Sequence, residues 1–313
     1  MSSVNPADQT PQRRDALDAK AVITLLVCCI LWGLNQIAAK VTLADVPPLL
    51  QAAWRSSGAV VLVVAWAYWR QVPLWTRDGS LRGGLLAGLL FGAEFACIFV
   101  GLQFTAASRM VVYLYSAPFI VALGMPFIAK GERLSALQWA GLVIAFAGVA
   151  VAFAEGFGQA SLLGPHVWVG DALGVAAAVF WALTTLVIRA TRLGQAPAEK
   201  TLAYQLAVSA AMFWIMSWAA AEAWPQQIST LSWGSLAFQT VVVAFASFLT
   251  WFWLVRHYPA ARLSSFTLVT PLAGLAFGVI LLGEPLTARL LIAASAVAVG
   301  LLLINRPAIR RPS

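Results

Sequence analysis

Residues 109–134 read RMVVYLYSAPFIVALGMPFIAKGERL, and residues 262–286 read RLSSFTLVTPLAGLAFGVILLGEPL. Each stretch opens on an arginine, carries a proline about nine residues on (Pro118, Pro271) and closes on Gly-Glu-x-Leu. A proline deep in an apolar run removes a helical hydrogen bond and bends the segment. Two runs so marked, about 153 residues apart in a chain of 313, point to an internal duplication. A second pair agrees: Trp32-Gly33-Leu34-Asn35 with Lys40, against Trp181-Ala182-Leu183-Thr184 with Arg189. Pro48 and Pro197 align in the same register.

Hydrophobic residues make up 61% of the chain and charged residues 10%, with a mean hydropathy of +0.84. In a soluble domain roughly a quarter of residues are charged. The apolar content falls into membrane-length runs between short polar breaks, so the fold class expected is an all-α integral membrane protein in a lipid bilayer. The net charge of +8 would suggest nucleic acid in a soluble protein. Here it is explained by the cytoplasmic excess of Lys and Arg, and no nucleic-acid partner is expected.

Ten segments are long enough to span: 21–43, 49–69, 83–104, 109–129, 136–154, 170–189, 200–221, 234–256, 263–282 and 287–304. Placing the N-terminus inside puts sixteen basic residues on the cytoplasmic side, from Arg13 and Arg14 through Arg70, Lys200 and Arg311. Lys40, Arg109 and Arg289 are left opposite, and Arg55 lies within a helix. Both termini are therefore expected in the cytoplasm. The first twenty residues are polar and mixed in charge, unlike a cleavable signal peptide. The expected organisation is a cytoplasmic tail (1–20), a five-helix repeat (21–155), a loop (156–169), a second five-helix repeat (170–304) and a second tail (305–313). Five helices is an odd number, so the second repeat must be inverted relative to the first. Inverted repeats around a central cavity are a common plan of secondary transporters, in which one half rocks against the other to alternate access.

Polar residues within such segments must face other helices or a water-filled cavity. Trp32, Asn35, Gln36, Ala39 and Lys40 form one stripe on the first helix, and Trp181, Thr184, Thr185, Ile188 and Arg189 repeat it on the sixth. The stripe either lines a cavity or cross-links helices. Glu94 is an acid in the middle of a spanning segment, where it would carry a proton, bind an ammonium group or pair with Arg55. By the Pro118–Pro271 register its counterpart in the second half is Ser247. Tyr113 and Ser116 share a face of the fourth helix with Arg109, and Ser247 shares one with Trp251. The candidate cavity residues are Trp32, Asn35, Gln36, Glu94, Tyr113, Ser116, Trp181 and Trp251, with Glu94 the coupling candidate and Pro118 and Pro271 the helix-bending positions. Trp66, Trp69, Trp75, Trp139, Trp168, Trp224 and Trp233 fall near predicted interfaces, as aromatic belts do.

Gly84, Gly88 and Gly92 form a small-residue ridge on the third helix, and Gly274 and Gly278 repeat it on the ninth. Such ridges let helices approach closely, within the bundle or across a dimer. Because five helices per half enclose a cavity, a monomer is expected, with a homodimer as the alternative. Cys28, Cys29 and Cys97 lie in apolar runs without CxxC spacing, as packing residues do. The sequence holds no GxxxxGK[ST] loop, no HExxH and no Gly-x-Ser-x-Gly elbow, so no catalytic set, metal site or cofactor is expected.

The paired Gly-Glu-Arg-Leu and Gly-Glu-Pro-Leu closures, Pro118 and Pro271, Ala107-Ser108-Arg109 at the start of the fourth helix, and a tryptophan in the first helix of each half resemble the EamA-type members of the drug/metabolite transporter superfamily. Within it the chain is most similar to the YddG-type amino acid exporters. The resemblance covers residues 21–304. It implies ten helices around a cavity in a bacterial inner membrane and a small-molecule cargo: aromatic and other neutral amino acids, related metabolites or toxic compounds. It also implies that Glu132 and Glu284 act as helix-end residues. The expectation is an exporter working by alternating access. Efflux of lipophilic cationic drugs is the alternative. An enzyme acting on lipid-linked substrates is a third reading, with only Asp78 and Glu155, in isolation, to serve it.

Overall fold

A computed structural model of the chain describes residues 18–128, 135–156, 164–258, 267 and 269–304. The Gly131–Leu134 closure, Arg262, residues 157–163 of the expected loop and most of both tails lie outside the described residues. Among the described residues all regular structure is helical: α1 (Ala19–Thr42), α2 (Pro48–Trp69), α3 (Leu81–Gly101), α4 (Ala107–Leu114), α5 (Ala117–Ile128), α6 (Ala136–Gly156), α7 (Val167–Ala190), α8 (Ala198–Ala219), α9 (Thr230–Ala237), a π-helical stretch (Phe238–Ser247), α10 (Phe248–His257), α11 (Val269–Leu282) and α12 (Ala288–Ile304). Among the described residues seven helical segments are long and apolar enough to cross a membrane, and Ala136–Ala152, Val269–Leu282 and Ala288–Leu303 are shorter apolar helices. Ile23, Val61, Leu89, Ile215 and Ile280 point outward, as lipid-facing side chains do.

Local chemistry sets several boundaries. Asp18 caps α1 by accepting from the Ala21 amide at 2.8 Å. Pro48 opens α2, where its missing N–H is no loss. Gly283, at φ +65°, takes the left-handed turn that ends α11 and carries Glu284 back into the bundle.

The fourth expected segment is not one continuous helix. Pro118 has no N–H for the Leu114 carbonyl and its ring would crowd that carbonyl, so the chain turns at Tyr115 and Ser116 and restarts as α5. This corrects the expected shared face: Ser116 sits in the turn rather than on the helix with Tyr113. Pro271 lies in the first turn of α11, which begins two residues before it. The eighth segment is longer than expected. It begins at Thr230, capped by Ser229, and runs through the π-helical stretch into α10.

Helices of the two sequence halves pack pairwise: α2 along α8, α6 along α12, α3 along α7 and α8, α1 along α11, and α4 and α5 along α7. The glycine ridge of α3 lies on α8. A Cβ at Gly84 would come within 2.5 Å of the Tyr204 ring, and one at Gly88 within 2.9 Å of the Tyr204 carbonyl. Gly274 approaches Val111 in the same way. These ridges serve contacts inside the chain, as small residues do where helix backbones must come close.

Candidate functional site

Two fully enclosed residues of opposite charge lie on neighbouring helices. Arg55 of α2 is 0% exposed and Glu94 of α3 is 6% exposed. The Arg55 Cζ lies 4.2 Å from the centroid of the Phe95 ring and 5.9 Å from those of Phe99 and Phe248. Among the described residues none of its three guanidinium nitrogens has a hydrogen-bond partner. Among the described residues Arg55 and Glu94 form no ion pair with each other, whereas Arg109 and Asp171, also buried, do. The structural ion pair considered for Glu94 is therefore not formed. Further unsatisfied oxygens sit on Asn35 and Gln36 of α1 and on Ser56 of α2.

Beside this pair stands an aromatic wall. The indole N–H of Trp32 donates to Ser247 Oγ at 2.9 Å, and Ser247 Oγ donates to the Val243 carbonyl at 2.7 Å. Trp32 meets Trp251 edge-on at 5.4 Å, and Phe248 at 6.5 Å. Phe248 joins the two regions, because its ring also meets Phe91 at 6.4 Å and lies near Arg55. The π-helical stretch ends at Ser247, one residue before it. Such wide-turn segments re-aim side chains and are frequent at functional sites. The structure thus brings Trp32, Trp251 and Ser247 together and links them through Phe248 to Arg55, whose guanidinium also lies over the Phe95 ring.

The other expected cavity residues are placed differently. Tyr113 is committed elsewhere: its hydroxyl accepts from Arg109 Nη2 at 2.9 Å and donates to Asp171 at 3.0 Å. Ser116 Oγ donates to the Tyr113 carbonyl. Trp181 packs edge-on against Tyr115 at 5.5 Å. Thr184 and Thr185 donate to carbonyls one turn back on their own helix, so the polar stripe of α7 is satisfied locally. Asp171, Arg55 and Phe248 were not among the candidates. An acid two residues into a predicted span was a signal for Asp171. Nothing in the sequence singled out Phe248.

At the end of the bundle where α1 finishes, polar contacts join the sequence halves. Asp171 accepts from Arg109 Nε at 3.1 Å and Nη2 at 2.5 Å, and from Thr105 Oγ1 at 2.7 Å. Glu284 accepts from the amides of Ala107 and Ser108 at 2.7 and 2.9 Å, closing the N-terminus of α4, whose own Ala106 cannot cap it. Glu222 does the same for Leu49 and Leu50 of α2. Within the first half, Lys40 Nζ donates to the carbonyls of Leu102 and Thr105. Asp45 accepts from Ser229, whose hydroxyl and amide hold its carboxyl below the ordinary range. At the opposite end Lys200 bonds Asp78 at 2.8 Å. A groove of about 470 Å³ opens there between Trp66, Arg70, Glu199, Leu249, Trp253 and His257.

Comparison with known proteins gives a consistent result. A family described as the EamA-like transporter family matches residues 19–154 and again 168–306. "Uncharacterized transporter YvbV" of Bacillus subtilis is 29% identical over 311 residues, covering 95% of this chain and 93% of the relative. A "Probable amino-acid metabolite efflux pump" of Salmonella typhimurium is 28% identical over 284 residues, 88% and 91% of the two chains. One of the same name from Escherichia coli is 26% identical over 291 residues, 90% and 92%. A solved structure described as "Crystal structure of protein" superposes with a TM-score of 0.65 at 20% identity, over 92% of this chain and 96% of that one, and so shares its fold.

Proposed function

The chain belongs to the EamA-like transporter family and is a multi-pass membrane transporter, and we propose that it exports neutral amino acids, aromatic ones included, or similar small metabolites. In this reading ten helices span a bacterial inner membrane as two inverted repeats, with both termini in the cytoplasm. Two halves working by alternating access would carry the cargo through a central site. The packing supports the inverted arrangement. Exchanging each helix for its counterpart returns the α2–α8 and α6–α12 contacts to themselves, turns α1–α11 into α7–α4/α5, and turns α3–α7 into the contact of α1 with the α9–α10 segment. Residues 21–155 and 170–304 would then be the two repeats, and one chain would suffice.

The observation that carries the cargo assignment is the pair of buried opposite charges, Arg55 and Glu94, beside an aromatic wall in the interior of an apolar bundle. Charges so placed are expensive and mark substrate or ion pathways. Two opposite charges suit a cargo that carries both signs. A lipophilic cation would be drawn by Glu94 and repelled by Arg55, so drug efflux is the weaker reading. Two relatives named as amino-acid metabolite efflux pumps point the same way. Trp32, Asn35, Gln36, Glu94 and Trp251 remain the proposed cavity residues from the sequence, with Glu94 the coupling candidate. Tyr113, Ser116 and Trp181 would support it from behind.

The test is uptake of radiolabelled neutral amino acids into proteoliposomes holding only this protein, with and without a pH gradient. Saturable uptake that competes among neutral amino acids is expected, with acceleration by the gradient if Glu94 couples. Uptake of tetraphenylphosphonium without any amino acid uptake would replace this reading with drug efflux.

A further inference from the structure

A buried arginine is normally found with its planar fork bonded to a carboxylate, because the guanidinium cannot lose its proton and its N–H groups cost free energy when left unmade. Arg109 obeys this rule, with its buried fork on Asp171. Arg55 does not. It is 0% exposed, aromatic rings lie around its guanidinium carbon, and Nε, Nη1 and Nη2 all lack partners among the described residues. Glu94 is buried on the next helix, α3, but does not take the fork. An aromatic surround stabilises the cation from its faces and leaves its edge, the hydrogen-bonding part, unanswered. Ser56, the next residue of α2, is also buried with an unsatisfied hydroxyl.

Resting on the amino acid reading above, we propose that Arg55 is the specificity-determining residue of the site, its fork receiving the α-carboxylate of the cargo in two parallel hydrogen bonds, while Glu94 receives the α-ammonium group. An α-amino acid carries both groups on one carbon, so it can bridge two opposite charges that stand near each other without touching. Its side chain would then lie toward Phe248, Trp32 and Trp251, whose rings accept apolar and aromatic groups alike. A ligand lacking the carboxylate leaves the guanidinium buried and unpaired, and one lacking the ammonium group leaves Glu94 so. Rejection of both kinds of analogue follows from the cost of stranding a buried polar partner, not from size.

The experiment measures displacement of tritiated L-phenylalanine from the purified full-length protein by L-phenylalanine, its methyl ester and 3-phenylpropionate. With the wild type, each analogue should compete at least ~30-fold more weakly than the amino acid, as expected when one partner of a buried charge pair is removed. Arg55→Gln should weaken phenylalanine by a similar factor and bring it level with its methyl ester, while discrimination against 3-phenylpropionate persists. Glu94→Gln should do the reverse. Should Arg55→Gln fail to elute as a folded peak, Arg55→Lys keeps the charge, loses the fork and should narrow the preference over the ester. Equal competition by phenylalanine and its ester at the wild type, or a preference unchanged in the Arg55 variants, overturns the assignment while leaving amino acid transport standing. No phenylalanine binding at all, with binding of tetraphenylphosphonium, overturns the amino acid reading and this assignment together.

Discussion

Removing Asp171 should destabilise the protein far more than removing its ionic partner Arg109. Asp171 is 0% exposed, and its carboxylate accepts from Arg109 Nε and Nη2, from Tyr113 Oη and from Thr105 Oγ1. Asp171→Leu takes the carboxylate away from a buried guanidinium that cannot neutralise, and from two hydroxyls. Breaking a buried pair from one side costs about 3–5 kcal/mol. At roughly 2–4 °C per kcal/mol for a large domain, the midpoint of thermal unfolding in detergent should fall by ~6–20 °C. Arg109→Met should cost less, because the carboxylate keeps the two hydroxyl donors of Tyr113 and Thr105. Arg109→Met/Asp171→Leu should be milder than the sum of the single changes by about 2 kcal/mol, since replacing both members with apolar groups is often near neutral. The assay is a double-mutant cycle on unfolding midpoints followed by intrinsic fluorescence. Additive changes within about 0.5 kcal/mol, or an Asp171→Leu protein as stable as the wild type, would refute the idea that this ion pair fastens α4 to α7.

Gly88→Leu should cost at least 1–3 kcal/mol, because even its Cβ meets the Tyr204 carbonyl, whereas Gly234→Ala, with open space around it, should be neutral or stabilise by up to about 1 kcal/mol; differential scanning fluorimetry distinguishes them. Glu284→Ala removes the acceptor for two amides of α4 and should cost about 1–2 kcal/mol, with hydrogen exchange rising first at Ala107 and Ser108. Trp32→Phe keeps the edge contact with Trp251 but loses the bond to Ser247; wild-type stability with a changed Michaelis constant is expected in the proteoliposome assay, and an unchanged constant would remove Trp32 from the site. The bond from Lys200, with those from Ser80, holds the Asp78 carboxyl well below its usual range. Its stabilising contribution is therefore complete above the ordinary carboxylate pKa of about 4 and is lost as pH falls below that. Asp78→Asn should flatten that acid limb in a plot of unfolding midpoint against pH, and an unaltered limb would show that other carboxylates set it.

The broken fourth helix shows how far local reading reaches. Pro118 announced a disturbance, but a bend and a clean break look alike in sequence, and only the turn at Tyr115–Ser116 moved Ser116 away from Tyr113. The stripe on α1 was read from its period, yet the same period on α7 ended in threonines bonded to their own helix. Hydroxyls have that choice. The amide oxygens of Asn35 and Gln36 only accept, and the carbonyls one turn back on a helix have no hydrogen to give them.

What the sequence settled by itself was the solvent and the class of fold. Apolar runs of membrane length need a lipid surround, and in lipid a backbone must satisfy itself as helix, so both conclusions follow from composition and period alone. The repeated proline and Gly-Glu-x-Leu marks likewise needed only comparison of the chain with itself. Partnership was decided elsewhere. Arg55 and Arg109 are both arginines in apolar helices, and nothing nearby in sequence says that one finds Asp171 at 2.5 Å while the other finds only rings. Charges within a bilayer choose partners across helices tens of residues apart, at distances fixed by how glycine ridges and capped ends let those helices pack. The tertiary structure alone set that geometry, and with it separated the arginine that holds the bundle together from the one left with its hydrogen bonds unmade.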